Sequence, residues 1–88
     1  MKLLFTLRGW GDYVHWQEND PKMRARINAL IRECMRTPFS GLGKPEPLRN
    51  NWSGWWARRI DTEHRLVYRV IGKGEDQRLE IAQCRYHY

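Results

Sequence analysis

Between Pro21 and Thr37 the apolar side chains Met23, Ile27, Leu30, Ile31 and Cys34 recur on one face of a helix, with Arg24, Arg26, Arg32 and Arg36 spread around the remainder. A helix with a single apolar stripe must lay that stripe on a second layer, so this pattern limits the chain to a packed, layered fold. Its ends are marked. Asn19-Asp20-Pro21 offers Asp20 as the N-cap and Pro21 at the first helical position, and Thr37-Pro38 stops the run. Upstream, Lys2 to Thr6 reads as a short first strand, and Gly9 to Glu18 carries Trp10, Tyr13, Val14 and Gln17 at helical spacing. From Trp55 the period changes to two. Trp56 to Asp61, Arg65 to Ile71 and Arg78 to Tyr86 read as strands, with residues 72–77 as the turn joining the last two. Residues 38–54, rich in proline and glycine, read as an ordered loop anchored by Leu42, Leu48 and Trp52, with one turn of helix. The order β-α-α-β-β-β predicts a small α+β domain, two helices packed on one face of an antiparallel sheet.

The chain has 88 residues, enough for one such domain spanning 1–88 and not for two lobes. Its net charge of +6 and pI near 9.8 attract polyanions, RNA or DNA first and acidic proteins second. Arginine leads this excess, and its planar fork suits phosphate better than a lysine ammonium does. A basic surface with no specific ligand is the plainer alternative, and charge alone does not separate the two. Cys34 and Cys84 lie on separate elements without CxxC spacing, which favours buried reduced thiols over a disulfide. Met1 to Phe5 lacks the apolar length of a signal peptide and no segment approaches membrane-spanning length, so a cytoplasmic protein is expected.

The chemistry-bearing residues cluster toward the C-terminal half. Glu46 stands between Pro45 and Pro47 on a stiffened backbone, Arg49 follows it, and Arg59 and Arg65 come from consecutive strands. The run Cys84-Arg85-Tyr86-His87-Tyr88 gathers an imidazole, two phenols and an arginine. Histidine is the side chain whose ordinary pKa allows proton transfer near neutrality. One carboxylate, one histidine and several arginines form a complete set for transesterifying RNA: a base for the ribose 2′-hydroxyl, cations for the five-coordinate phosphate, and an acid for the departing 5′-oxygen. His15, His64 and His87, with the scattered carboxylates, show no metal-ligand spacing, and no cofactor is expected. Taken singly, each residue has a plainer role. Glu46 would pair with Lys44 or Arg49, Arg65 with Glu63 or Glu80, and His87 would be a fixed terminal residue. His64 is read as structural and His15 as a surface residue. Trp52, Trp55 and Trp56 could stack on bases, but sheet-face packing is expected for at least two of them.

Longer motifs carry a resemblance. Lys44-Pro45-Glu46-Pro47-Leu48, Trp52-Ser53-Gly54, Arg58-Arg59-Ile60, Glu63-His64-Arg65-Leu66-Val67-Tyr68 and Cys84-Arg85-Tyr86-His87-Tyr88 resemble the YoeB-type toxins of the RelE/ParE superfamily, from bacterial toxin–antitoxin systems. The likeness extends to Trp10, Asp12-Tyr13, Trp16-Gln17-Glu18 and Arg36-Thr37-Pro38-Phe39, essentially the whole chain. It implies a RelE-like fold and ribosome-dependent, metal-free cleavage of mRNA in the decoding site. Glu46 then resembles the general base, His87 the general acid, Arg65 the phosphate-stabilising arginine, and Tyr88 the terminal tyrosine that holds the site. Arg59 falls on a matching RNA-binding position, and Arg49 stands where lysine is expected. The implied partners are the 70S ribosome with its mRNA, and an acidic, partly disordered YefM-like antitoxin; a homodimer is also compatible. The turn at 72–77 is longer than usual and Arg8-Gly9 replaces a more acidic stretch, both away from these residues. Two other functions share the fold or the charge: a ParE-like toxin that inhibits gyrase by binding, and an RNA-binding module without activity.

Overall fold

The computed structural model describes all residues from Met1 to Tyr88. Strand β1 (Lys2–Phe5) leads into helix α1 (Leu7–Asn19) and helix α2 (Pro21–Arg36); strands β2 (Glu46–Pro47), β3 (Trp56–Arg59), β4 (Arg65–Ile71) and β5 (Arg78–Gln83) follow. The α+β architecture is as anticipated, and so is the cap between the helices. The Asp20 carboxylate accepts from the Lys22 and Met23 amides, both at 3.1 Å, while Pro21 occupies the first turn. Helix α1 begins two residues before the expected start, because the Thr6 hydroxyl accepts from Gly9 N–H at 3.0 Å and supplies its N-cap.

The five strands lie in the order β1-β5-β4-β3-β2. The sheet is mixed, where the sequence reading expected it to be antiparallel throughout: β1 runs parallel to β5, with Lys2 opposite Arg78 and Phe5 opposite Ile81. The two helices cross over between these strands in sequence, and a parallel neighbour requires such a crossover. Both helices cover one face. Trp16, Ile27, Leu30, Ile31 and Cys34 bury themselves there against Leu66, Tyr68, Leu79, Ile81 and Cys84. The opposite face holds a smaller cluster of Leu48, Ala57, Val67 and Ala82 with Trp52 and Trp55 packed against it, while Trp56 joins the main core. All three tryptophans therefore pack on the sheet.

Two irregularities shape the end of β5. Val67 pairs with Gln83 but Tyr68 pairs with Ile81, which leaves Ala82 as the extra residue of a bulge. The bulge re-phases the strand, so Gln83 joins Val67 on the open face and Cys84 turns into the helix-side core. The ladder then stops at Gln83, three residues short of the expected Tyr86. Tyr86 has φ of +65°, outside any strand conformation. Cys34 and Cys84 are buried free thiols. No helix is long and apolar enough to cross a membrane.

Candidate active site

The face not covered by helices displays the polar residues. On β3 the alternation of side chains sends Arg58 inward and Arg59 outward. Arg58 is fully buried, donating to Tyr68 Oη at 3.0 Å and to the carbonyls of Leu42, Thr37 and Ser40 at 2.8, 2.6 and 2.9 Å. It thereby clamps the loop that leads to Glu46. Gly43 completes the seating: its φ of +86° and the nearness of Leu30 and Arg58 leave no room for a side chain. Two residues of the former loop, Glu46 and Pro47, then pair with Ala57 and Trp56 as strand β2. The sheet thus fixes the Glu46 backbone. Its carboxylate is exposed and forms no ion pair with Lys44 or Arg49.

Arg59 lies directly opposite Arg65 in the β3–β4 ladder, one pleat along from the Glu46–Ala57 pair. Arg65 pairs with neither Glu63 nor Glu80. Instead its Nη1 donates to the carbonyls of Asp61 and His64 at 2.8 and 3.1 Å, which hold the guanidinium at the sheet's rim. Glu80 is taken by Arg69, at 2.6 Å. Between Arg26, Arg59 and Arg65 lies a notch of about 410 Å³. Arg26 reaches over from α2 to bond the carbonyls of Ile60 and Arg59, at 3.2 and 3.0 Å.

The segment after β5 folds back toward these groups. Tyr88 Oη donates to Glu46 Oε1 at 3.2 Å, joining two residues 42 positions apart. The phenol's pKa is raised by burial and by the adjoining Glu46 carboxylate, with Arg65 and Arg59 pulling the other way. Those opposing influences place both arginines within electrostatic reach of Tyr88. Behind it runs an open cleft of about 440 Å³ lined by residues 46–52 and Tyr88, with Arg49 on its wall. The His87 carbonyl accepts from the buried Gln83 side chain at 3.1 Å, and its imidazole is exposed and makes no hydrogen bond to the protein. Five of the six residues singled out from sequence, Glu46, Arg49, Arg59, Arg65 and Tyr88, gather at this rim. His87 is tethered there by its backbone. No three His, Cys, Asp or Glu side chains come together as a metal-holding group.

Sequence reading missed the supports. Arg58 appears in the sequence only as part of the Arg58-Arg59-Ile60 motif, with no role assigned, although strand alternation requires one of two adjacent residues to face inward. Trp16 Nε1 and the Asp12 carboxylate clamp Cys84 from α1, at 2.8 and 3.1 Å, and no local pattern announces contacts 68 and 72 residues apart.

A YoeB toxin from Streptomyces coelicolor is 56% identical over the full length of both chains. The structure of a YoeB/ParE toxin from Agrobacterium tumefaciens superposes with a TM-score of 0.95 at 59% identity, covering 100% of each chain. The Staphylococcus aureus YoeB–YefM toxin–antitoxin heterotetramer matches at TM-score 0.86 and 42% identity, over 100% of this chain and 98% of that one, and the same bacterium's YoeB has been solved as a dimer. Residues 5–88 match the family model for YoeB-like toxins. The chain therefore belongs to the YoeB-like toxins of bacterial type II toxin–antitoxin systems.

Proposed function

We propose that this toxin is a ribosome-dependent mRNA endoribonuclease that acts in the cytoplasm and halts translation. The observation that carries the reading is the Glu46–Tyr88 hydrogen bond beside the Arg59–Arg65 pair: a carboxylate, a phenol and two cations on one exposed rim. Glu46 takes the proton of the ribose 2′-hydroxyl, and the resulting oxygen attacks the adjacent phosphorus. Arg65 and Arg59 stabilise the charge that builds on the non-bridging oxygens. His87 protonates the departing 5′-oxygen, leaving a 2′,3′-cyclic phosphate. Tyr88 orients the Glu46 carboxylate, and Arg49 faces the flanking RNA.

The rim is open, with Glu46, Arg59, His87 and Tyr88 all exposed. Such a site does not by itself hold a flexible RNA in line for attack, and that geometry is worth several orders of magnitude in rate. An mRNA already held in the decoding site of the 70S ribosome supplies it. The partner that silences the toxin is a YefM-like antitoxin whose acidic, partly disordered segment orders on the basic rim. A homodimer, the assembly solved for the S. aureus relative, is a further expected partner state.

The test is a reconstituted translation reaction with mRNA ends mapped by primer extension, for the wild type and His87→Gln. Ribosome-dependent cuts bearing a cyclic phosphate are expected from the wild type alone, with the variant folded and at least 100-fold slower, the scale of a lost general acid. Intact mRNA with the wild type would overturn the reading and redirect the search to gyrase inhibition.

A further inference from the structure

The segment Cys84–Tyr88 has left the sheet, yet it carries two side chains of the proposed site. We propose that His64 is the residue that positions it, through an imidazole acting as hydrogen-bond acceptor; the catalytic consequence rests on the nuclease reading above. Both backbone polar groups of Tyr86 are engaged by two consecutive residues. Its N–H donates to His64 Nδ1 at 2.7 Å, and its carbonyl accepts from Arg65 N–H at 3.1 Å. Tyr86 sits in the left-handed region, with φ of +65°, which a bulky aromatic adopts only where its surroundings over-determine it. The Tyr86 side chain is half exposed and does not bury enough to impose this. The backbone clasp at 64–65 does.

His64 is itself firmly seated. It is 8% exposed, with its ring edge-on to Trp16 at 4.9 Å and tilted against Tyr86 at 5.6 Å. Asp61 Oδ1 accepts from both the Glu63 and His64 amides, at 2.9 and 2.7 Å, and closes the β3–β4 turn beneath the ring. Those amides hold the Asp61 carboxyl below its usual range, against the opposing effect of burial. Because Nδ1 accepts, the imidazole proton sits on Nε2, which lies 3.6 Å from Glu63 Oε1. The His64 ring thus supplies the acceptor for the Tyr86 amide, between the Asp12–Cys84 contact before it and the Gln83–His87 contact after it. Released there, His87 and Tyr88 lose their register with the Glu46 carboxylate, while the arginines on β3 and β4 stay in place.

Two substitutions separate the acceptor from the ring. His64→Asn keeps an acceptor near the Nδ1 position and discards the aromatic body; His64→Phe does the reverse. The Phe variant is expected to cut mRNA on ribosomes about 100-fold more slowly, the scale of a small misplacement at the reacting centre. Its ribosome affinity stays at the wild-type level and amide-exchange protection at Tyr86 disappears. The Asn variant retains that protection and most of the rate. An Asn variant as slow as the Phe one, or a Phe variant cutting normally, overturns the proposal. In the isolated, isotope-labelled wild type, a through-hydrogen-bond coupling between the Tyr86 amide and His64 Nδ1 is expected, and its absence overturns the proposal without any ribosome or variant. If the coupling and the exchange pattern hold while the wild type leaves mRNA intact, the nuclease reading fails and the anchoring by His64 stands.

Discussion

Arg58 is the largest side chain buried to completeness, and no carboxylate stands beside it. Its charge is met by three carbonyls and the Tyr68 hydroxyl, which in turn donates a hydrogen bond to the Pro38 carbonyl at 2.6 Å. Burial pushes the Tyr68 phenol up to about 12, with the Arg58 guanidinium working against that rise. Replacing Arg58 by Met fills most of the space but strands those acceptors without a donor. The variant is expected to lose about 3 kcal/mol in urea unfolding, the range for deleting one member of a buried charged network. Under the nuclease reading proposed above it is also expected to cut more slowly, because the loop ahead of Glu46 loses its clamp. Glu46 itself was legible in the sequence only through the longer motif around it. As a lone carboxylate between prolines it had a plainer explanation, and nothing local indicated that Tyr88 would be the group to find it.

At the level of elements, α1 lies flush against β5. A Cβ built on Gly9 would stand 2.4 Å from the Ile81 carbonyl oxygen, a backbone atom that cannot swing aside. Gly9→Ala is therefore expected to destabilise the fold by about 2 kcal/mol or more despite alanine's better helix propensity, as overpacking a well-filled contact does. Thermal denaturation would check the sign. Both helices and strands β1, β3, β4 and β5 were readable, because periods of 3.6 and 2 are written in local order. The direction of β1 was not: alternation identifies a strand but says nothing of its neighbour, and β1 meets β5 from the far side of two helices. The two-residue β2 was too short to leave a pattern. The early end of β5 followed from the bulge at Ala82 and the backbone of Tyr86, neither of which alters the run of residue types.

Across the whole molecule the buried thiols set an alkaline limit. Burial raises Cys34 from 9.0 to about 11 and Cys84 from 9.0 to about 12, and both lie in the core that joins helices to sheet. Since the folded-state values lie above the unfolded ones, the folded protein holds these protons more tightly. The associated stability is complete below pH 9 and is lost as pH rises from there through about 11 to 12. Each thiol adds up to about 1.4 kcal/mol per pH unit to that decline. Unfolding measured between pH 8 and pH 11 is expected to fall steeply for the wild type, and more gently for a Cys34→Ala, Cys84→Ala double variant whatever its stability at neutral pH.

The pairing of β1 with β5 bears on how the toxin is made. Strand β1 has no other neighbour in the sheet, and the Thr6 hydroxyl that caps α1 reaches the Ala82 carbonyl 76 residues away. A chain synthesised from its N-terminus holds β1 and both helices without their sheet until β5 has been made. The rim assembles later still, because Tyr88 must meet Glu46 across the finished ladder. Contacts this distant in sequence slow folding. Under the nuclease reading proposed above, the nascent polypeptide therefore carries no assembled site until Tyr88 has been made and β5 has docked between β1 and β4.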